Sequence, residues 1–254
     1  MGPFLNLFVF MKDNFSKQSD LYSCFRPGYP KQLFDFLIPL VPDKETAWDC
    51  GTGNGQVAVK LSSYFNKVYA TDLSSAQIEN AHKRQNIFYA VENAEETLFP
   101  DNKFDLITVA QAIHWFEFEI FYRGAKRTLK PGGIIAVIGY DIFRINKKLD
   151  ALTDQFYHDI TGPYWDKERK YVEERYLTIP FPFKEIKTPG FTMSYNWTFE
   201  QVIGYLNTWS AVQHYFRKNN QNPVDKFSDK LKDAWGSVLK RKVIFPIFMR
   251  TGRN

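Results

Sequence analysis

Cysteine is almost missing from this chain: Cys24 and Cys50 are the only two in 254 residues. They lie far apart and outside any metal-ligand spacing, so neither a disulfide framework nor a structural zinc site organises the protein. Free thiols in a reducing cytosol are the economical reading, and a cytoplasmic location is expected. Long hydrophobic runs are missing too. Nothing approaches the roughly 20 apolar residues of a membrane helix, and no membrane partner is expected. The greasy residues 1–10 have no basic flank and no small-residue cleavage site, which argues against a secretory signal. Asn6 stands where a myristoylation signal starting at Gly2 needs Ser or Thr. These ten residues read as a flap on the domain, or as the product of an upstream start with Met11 the true beginning. Repeats and low-complexity tracts are lacking as well, and no metal is predicted.

The composition is that of a globular protein. A hydrophobic share of 44% with 17% aromatics suffices for a full core. The formal charge of +5 comes from the second half, where residues 140–254 hold 19 Lys and Arg against 13 Asp and Glu. Acidic residues interleave with the basic ones, as in Lys167-Glu168-Arg169-Lys170. That pattern reads as solvated helix faces, and nucleic acid is not the expected partner.

Between residues 46 and 140 short β-rich runs alternate with helical patterns. Strands are predicted over 46–49, 67–71, 87–90, 104–110 and 134–140, and helices over 56–64, 75–83 and 116–128. This alternation predicts an α/β fold, doubly wound, with a mostly parallel sheet and helices on both faces. Ser74 with Gln77 three residues on forms a capping box for the second of these helices. Lys130-Pro131-Gly132-Gly133 stops the third. A helix over 32–40 precedes the first strand and belongs to an N-terminal helical cap, residues 1–42. After Tyr140 the rhythm breaks, and residues 141–185 read as a lid inserted after strand 5, with a helical stretch over 147–160. A strand over 191–197 follows, then a helix over 198–208 with Thr198 as N-cap and Gln201 at the third position, and a helix over 225–239. A last strand is expected over 243–249, although Pro246 would demote a central strand. One domain spanning 1–254 accommodates all of this.

The densest signal is Trp48-Asp49-Cys50-Gly51-Thr52-Gly53-Asn54-Gly55. Glycine at every second position lets a strand turn sharply into a helix and lets a ligand lie against bare backbone. Asp72 ends the next apolar run, where a doubly wound sheet presents a carboxylate to the two hydroxyls of a ribose. A dinucleotide fingerprint would need glycine at 56, where Gln56 stands.

Asp-x-Gly-x-Gly-x-Gly instead resembles the first motif of the class I S-adenosylmethionine-dependent methyltransferases, in their type 11 group. Asn93-Ala94-Glu95, Pro100, Phe104-Asp105-Leu106-Ile107 and Leu129-Lys130-Pro131-Gly132-Gly133 follow in that family's order and spacing. The likeness covers residues 46–140. Phe25-Arg26-Pro27-Gly28-Tyr29-Pro30 and Gln111-Ala112-Ile113-His114-Trp115-Phe116 look like the small-molecule branch that includes trans-aconitate methyltransferase. The resemblance implies a Rossmann-like sheet of seven strands and S-adenosylmethionine as cofactor. It implies cofactor contacts at Asp49, Gly51, Gly53, Asp72, Leu73, Asn93, Ala94, Glu95 and Gln111. Asp49 is expected to order the loop more than touch ligand. Many relatives carry Asp where this chain has Asn93, which still accepts from an adenine amine.

Methyl transfer from a sulfonium depends chiefly on orientation, which can contribute ~7–11 kcal/mol, and on exclusion of water. A lid and aromatic walls are therefore the features to seek. His114 is the candidate catalytic residue, as a base or as a holder of an anion, with hydrogen bonding within its own loop as the bland reading. Tyr22 and Trp115 are candidate walls against the sulfonium. Arg26 is a candidate clamp for a carboxylate, with a packing salt bridge as its bland reading. Arg217, with Trp209, His214 and Tyr215, is expected to border the substrate pocket; lid packing and an exposed Arg are the bland reading there. The expected reaction is O-methylation of a small-molecule carboxylate or hydroxyl. Methylation of RNA or protein is the alternative within enzymes; Gln111-Ala112-Ile113-His114 stands where RNA-base methyltransferases carry an Asn/Asp-Pro-Pro-aromatic tetrapeptide. A non-catalytic protein that binds S-adenosylmethionine is the alternative from another class.

Overall fold

In the computed structural model, which describes residues 27–254, the five apolar runs of the first half lie side by side as parallel strands. They are β1 (Thr46–Cys50), β2 (Lys67–Asp72), β3 (Ile87–Val91), β4 (Phe104–Ala110) and β5 (Leu129–Tyr140). β4 is buried from Phe104 to Val109, as expected of a parallel strand covered on both faces. Alternate residues serve the two cores. Leu106, Ile134 and Ala136 join one, and Ile107, Ile135 and Val137 join the other. The first core receives α1 (Lys31–Leu37), α2 (Gln56–Leu61) and the C-terminal helices; the second receives α4 (Phe118–Thr128) through Phe121 and Ala125.

The remaining strands close the sheet. β8 (Arg241–Arg253) runs antiparallel to β5. β6 (Lys184–Ile186) and β7 (Phe191–Trp197) lie end to end along its other edge, β7 on Arg241–Ile247 and β6 on Thr251–Arg253. Eight strands therefore fill seven lanes, in the order β3-β2-β1-β4-β5-β8-β6 with β7 sharing the last lane. The chain winds outward from β1 in both directions, so β1 and β4 flank the topological switch point, where ligands of such sheets bind. Pro246 is accommodated at the end of β5: its carbonyl accepts from the Asp141 amide at 2.9 Å. The N–H it lacks would point the same way, beyond the last β5 residue paired with β8.

Local signals place most boundaries. Ser74 accepts from the Gln77 amide at the start of α3 (Ser75–Glu79), and Thr198 with Gln201 forms a full capping box at α7 (Phe199–Asn207). The expected helices over 56–64 and 75–83 are shorter, ending at Leu61 and Glu79. Lys130–Gly133 is not a separate turn but the irregular start of β5. Gly132 takes φ +77° there, and the register jumps from Phe104 opposite Leu129 to Leu106 opposite Ile134. The inserted segment holds α5 (Lys147–Gln155), continued by a π turn over Phe156–Ile160, and α6 (Arg169–Glu173). It packs against α8 (Ser210–Asn219) and α9 (Pro223–Trp235). Among the described residues no helix is long and apolar enough to cross a membrane.

Candidate active site

Gly51, Gly53 and Gly55 all adopt positive φ, at +67°, +55° and +83°, which bends the chain from β1 into α2. Two of them are constrained by opposite things. A Cβ on Gly51 would sit 2.5 Å from the Ala112 Cβ, so the loop leans on the turn after β4. Among the described residues a Cβ on Gly53 would meet nothing nearer than Gln77 Oε1 at 3.9 Å, so none of them crowds that side of the loop.

Asp49 lies under the loop, fully enclosed. Its carboxylate accepts from Thr52 Oγ1 at 2.5 Å, Ala58 N at 3.1 Å and Thr108 Oγ1 at 2.7 Å. Burial pushes its pKa up to about 6 against the pull of those three donors. It ties β1, the loop, α2 and β4 together. Asp72, at the end of β2, accepts from Gly53 N at 2.8 Å and Ser74 N at 3.0 Å, so its carboxylate faces the glycine loop. Leu73 beside it is 45% exposed, an apolar side chain left on the surface. The Asn93 side chain accepts from Glu95 N at 3.1 Å and folds the 93–95 turn around the buried Ala94. Glu95 Oε1 accepts from Glu117 N at 2.8 Å, at the start of α4, and burial raises its carboxyl pKa. Its Oε2 and Gln77 Oε1 are buried acceptors with no donor among the described residues. Gln77 was not visible as a site residue in sequence, where it serves only the capping box.

A cleft begins at Gln111, where β4 ends. Gln111 takes φ +55° and is pinned by bonds to the Ile138 and Tyr140 carbonyls. His114 and Trp115 follow on a 3-10 turn; Tyr140, Asp141 and Ile142 come from the end of β5. Trp165, Asp166 and Arg169 also line it, as do Tyr205 of α7, Trp209 just before α8 and Ser210 at its start. The cleft holds about 70 Å³ of space that a water-sized molecule can reach.

His114 is buried with Nδ1 2.9 Å from the Tyr176 hydroxyl. Arg175 and Tyr176 both have left-handed backbone, φ +52° and +60°, where α6 ends and Tyr176 turns inward. Burial, and then the nearby Arg169 charge, push the His114 pKa down to about 3. Its ring is therefore neutral at physiological pH, which removes it as a cationic anion-holder and makes it a weak base. Trp115 lines the cleft. Arg217 does not: it is exposed on the outer face of α8. Tyr22 and Arg26 lie outside the described residues. Arg169, in contrast, lines the cleft although its charge-dense neighbourhood reads in sequence as solvent-facing.

The neutral His114 has a consequence for stability. Its folded pKa is depressed, so the unfolded chain takes up the proton first. The contribution is complete above about 6.5 and is lost as pH falls toward 3, by at most about 1.4 kcal/mol per pH unit. Asp49 works in the opposite sense between 3.8 and about 6, but it is common to wild type and variant. Denaturant titrations of wild type and His114→Gln at pH 7 and pH 5 isolate the effect. The stability advantage of wild type should shrink by about 2 kcal/mol at pH 5; a difference independent of pH would reject a buried neutral His114.

Among the described residues no group of three or more His, Cys, Asp or Glu side chains could hold a metal ion. Residues 48–137 match the methyltransferase domain family. Over 245 residues the chain is 32% identical to a Dictyostelium discoideum protein described as a methyltransferase, covering 93% of each. It is 25% identical over 223 residues to an uncharacterized methyltransferase of Schizosaccharomyces pombe, covering 86% of this chain and 84% of that one. Among solved structures, an Anaeromyxobacter dehalogenans protein described as a type II methyltransferase superposes with a TM-score of 0.84 at 37% identity. The match covers 90% of this chain and 98% of that one.

Proposed function

Because the chain belongs to the class I S-adenosylmethionine-dependent methyltransferases, we propose that it transfers the cofactor's methyl group to an oxygen of a small organic acceptor, a carboxylate or a hydroxyl. The residues around the glycine loop suit the cofactor. None of the described residues crowds Gly53, and the buried acceptors Gln77 Oε1 and Glu95 Oε2 match a ligand that brings amino donors. Asp72, oriented by the Gly53 and Ser74 amides, would take the ribose hydroxyls, with Leu73 packing beside them. Gly51 and Gly53 would carry the methionine end, and Asn93, Ala94 and Glu95 the adenine. Asp49 keeps the loop in shape. When bound, S-adenosylmethionine supplies an electrophilic methyl on a positively charged sulfur.

The observation that carries the acceptor reading is the aromatic-walled cleft that begins at Gln111, on the turn against which Gly51 packs. Trp115, Trp165, Tyr205 and Trp209 would exclude water and align a small acceptor, the effects on which methyl transfer depends. Gln111 and the neutral His114 would orient its oxygen by hydrogen bonds. A carboxylate is already ionised at pH 7 and needs no base; a hydroxyl does, and a His with pKa about 3 is a poor one. The weak basicity of His114 thus supports the carboxylate of the two. Methyl-labelled S-adenosylmethionine offered with a panel of small acids, phenols and amines, and with bulk tRNA, tests this. Label should appear on an acid. Transfer only to amines, tRNA or protein would overturn the reading, and cofactor binding without transfer to any acceptor would favour a non-catalytic role.

A further inference from the structure

The charges facing the acceptor cleft differ in how they are held. Asp141 is engaged by Arg175 at 2.8 Å, and Asp166 faces His214 at 3.7 Å. Arg169 has no carboxylate within salt-bridge distance among the described residues. Its Nε donates to the Tyr157 hydroxyl at 2.7 Å, and that hydroxyl donates onward to Glu173 Oε1 at 2.6 Å. Its guanidinium lies 4.7 Å from the centre of the Trp165 ring and 5.4 Å from that of Tyr157. One of five N–H donors is thus committed, the guanidinium lies over two aromatic rings, and the half-buried side chain lines the cleft.

We propose that Arg169 is the specificity-determining residue of this cleft, holding an anionic group of the acceptor against the Trp165 and Trp209 walls. The inference rests on the small-molecule reading above and narrows it to acids. A guanidinium offers parallel N–H groups that match a carboxylate in two bonds. The Tyr157–Glu173 relay and the Trp165 stack already hold this one, so little side-chain freedom is lost when the anion arrives. Trp165 and Trp209 stand 5.4 Å apart at 47° and supply the apolar surface for the rest of the molecule. An amine acceptor would meet the same fixed positive charge and be disfavoured.

The test uses the full chain saturated with S-adenosylhomocysteine and follows tryptophan quenching by benzoate, cinnamate and sorbate, each against its amide. Wild type should bind at least one acid tenfold or more tighter than its amide. Arg169→Met, which keeps an apolar side chain on Trp165, should lose that preference, and Arg169→Lys should retain part of it. Calorimetry should give the same S-adenosylhomocysteine affinity in all three proteins. Equal binding of acid and amide by wild type, no saturable binding of any acid, a preference that survives in Arg169→Met, or a loss of S-adenosylhomocysteine affinity there would each overturn the proposal. The methyl-transfer panel keeps this separate from the parent reading. Methylation of a neutral phenol without any acid preference removes the Arg169 assignment alone, whereas methylation confined to amines or tRNA removes both.

Discussion

Asp72→Ala should weaken S-adenosylmethionine binding about 30- to 150-fold, the equivalent of about 2–3 kcal/mol for loss of charge-assisted hydrogen bonds. Two things are removed together. One is the acceptor for the ribose hydroxyls. The other is the tie from Asp72 to the Gly53 and Ser74 amides, which sets the distance between the glycine loop and the start of α3. Asp72→Asn separates them: it keeps the shape and one acceptor oxygen but turns an amino group toward a donor, so its loss should be intermediate. Calorimetry on proteins first shown to be folded by their melting curves gives the answer. An unchanged affinity in Asp72→Ala would place the ribose elsewhere. Binding of NADH as tight as that of S-adenosylmethionine would undo the argument from Gln56, since the missing third glycine of the dinucleotide fingerprint would then carry no discrimination.

Gly51→Ala should be the more damaging change for the fold. At φ +67° an L-residue is strained by about 1–2 kcal/mol. The new methyl would also stand 2.5 Å from Ala112 Cβ and 3.3 Å from the Phe116 ring. Overpacking of this kind costs about 1–3 kcal/mol. A combined loss near 3 kcal/mol corresponds to a melting point lower by about 6–12 °C for a chain of this size. The double variant Gly51→Ala with Ala112→Gly relieves the contact but not the backbone, so it should recover the packing share and leave the rest. A single variant that melts within a degree of wild type would mean that the loop does not lean on the turn after β4.

The glycine loop and the central sheet were legible because their causes are local. Positive φ at three alternate positions calls for glycine whatever surrounds it, and apolar runs of five to seven residues become covered parallel strands. The caps at Ser74 and Thr198 are local in the same sense. Pro246 shows where this stops, because whether a missing N–H matters depends on where the neighbouring strand ends, which is a fact about β5. The acceptor cleft was legible at His114 and Trp115, which follow β4 directly, and at Trp209; Gln111, expected among the cofactor contacts, lines this cleft instead. Arg169 sits in Lys167-Glu168-Arg169-Lys170 and has the composition of a solvated face; only the packing of Trp165 and Tyr157 around it turns it inward. Arg217 is the converse, expected by sequence to border the pocket but exposed on α8. The charge state of His114 could not be read either, because a pKa near 3 is a property of burial and not of residue type.

β8 lies between β5 and the β6–β7 lane, separated from β5 in sequence by the whole of residues 141–240. During synthesis the ribosome therefore delivers β1 to β5 long before the strand that covers the flank of β5. In the interim the nascent chain carries an unpaired row of amides and carbonyls along Ile134–Tyr140, a segment with high β-propensity and no charge. Such an edge invites pairing with another chain. Vectorial folding is thus left incomplete at its most adhesive strand until the C-terminal segment emerges, and that interval is when chaperone capture or aggregation would compete with the native sheet.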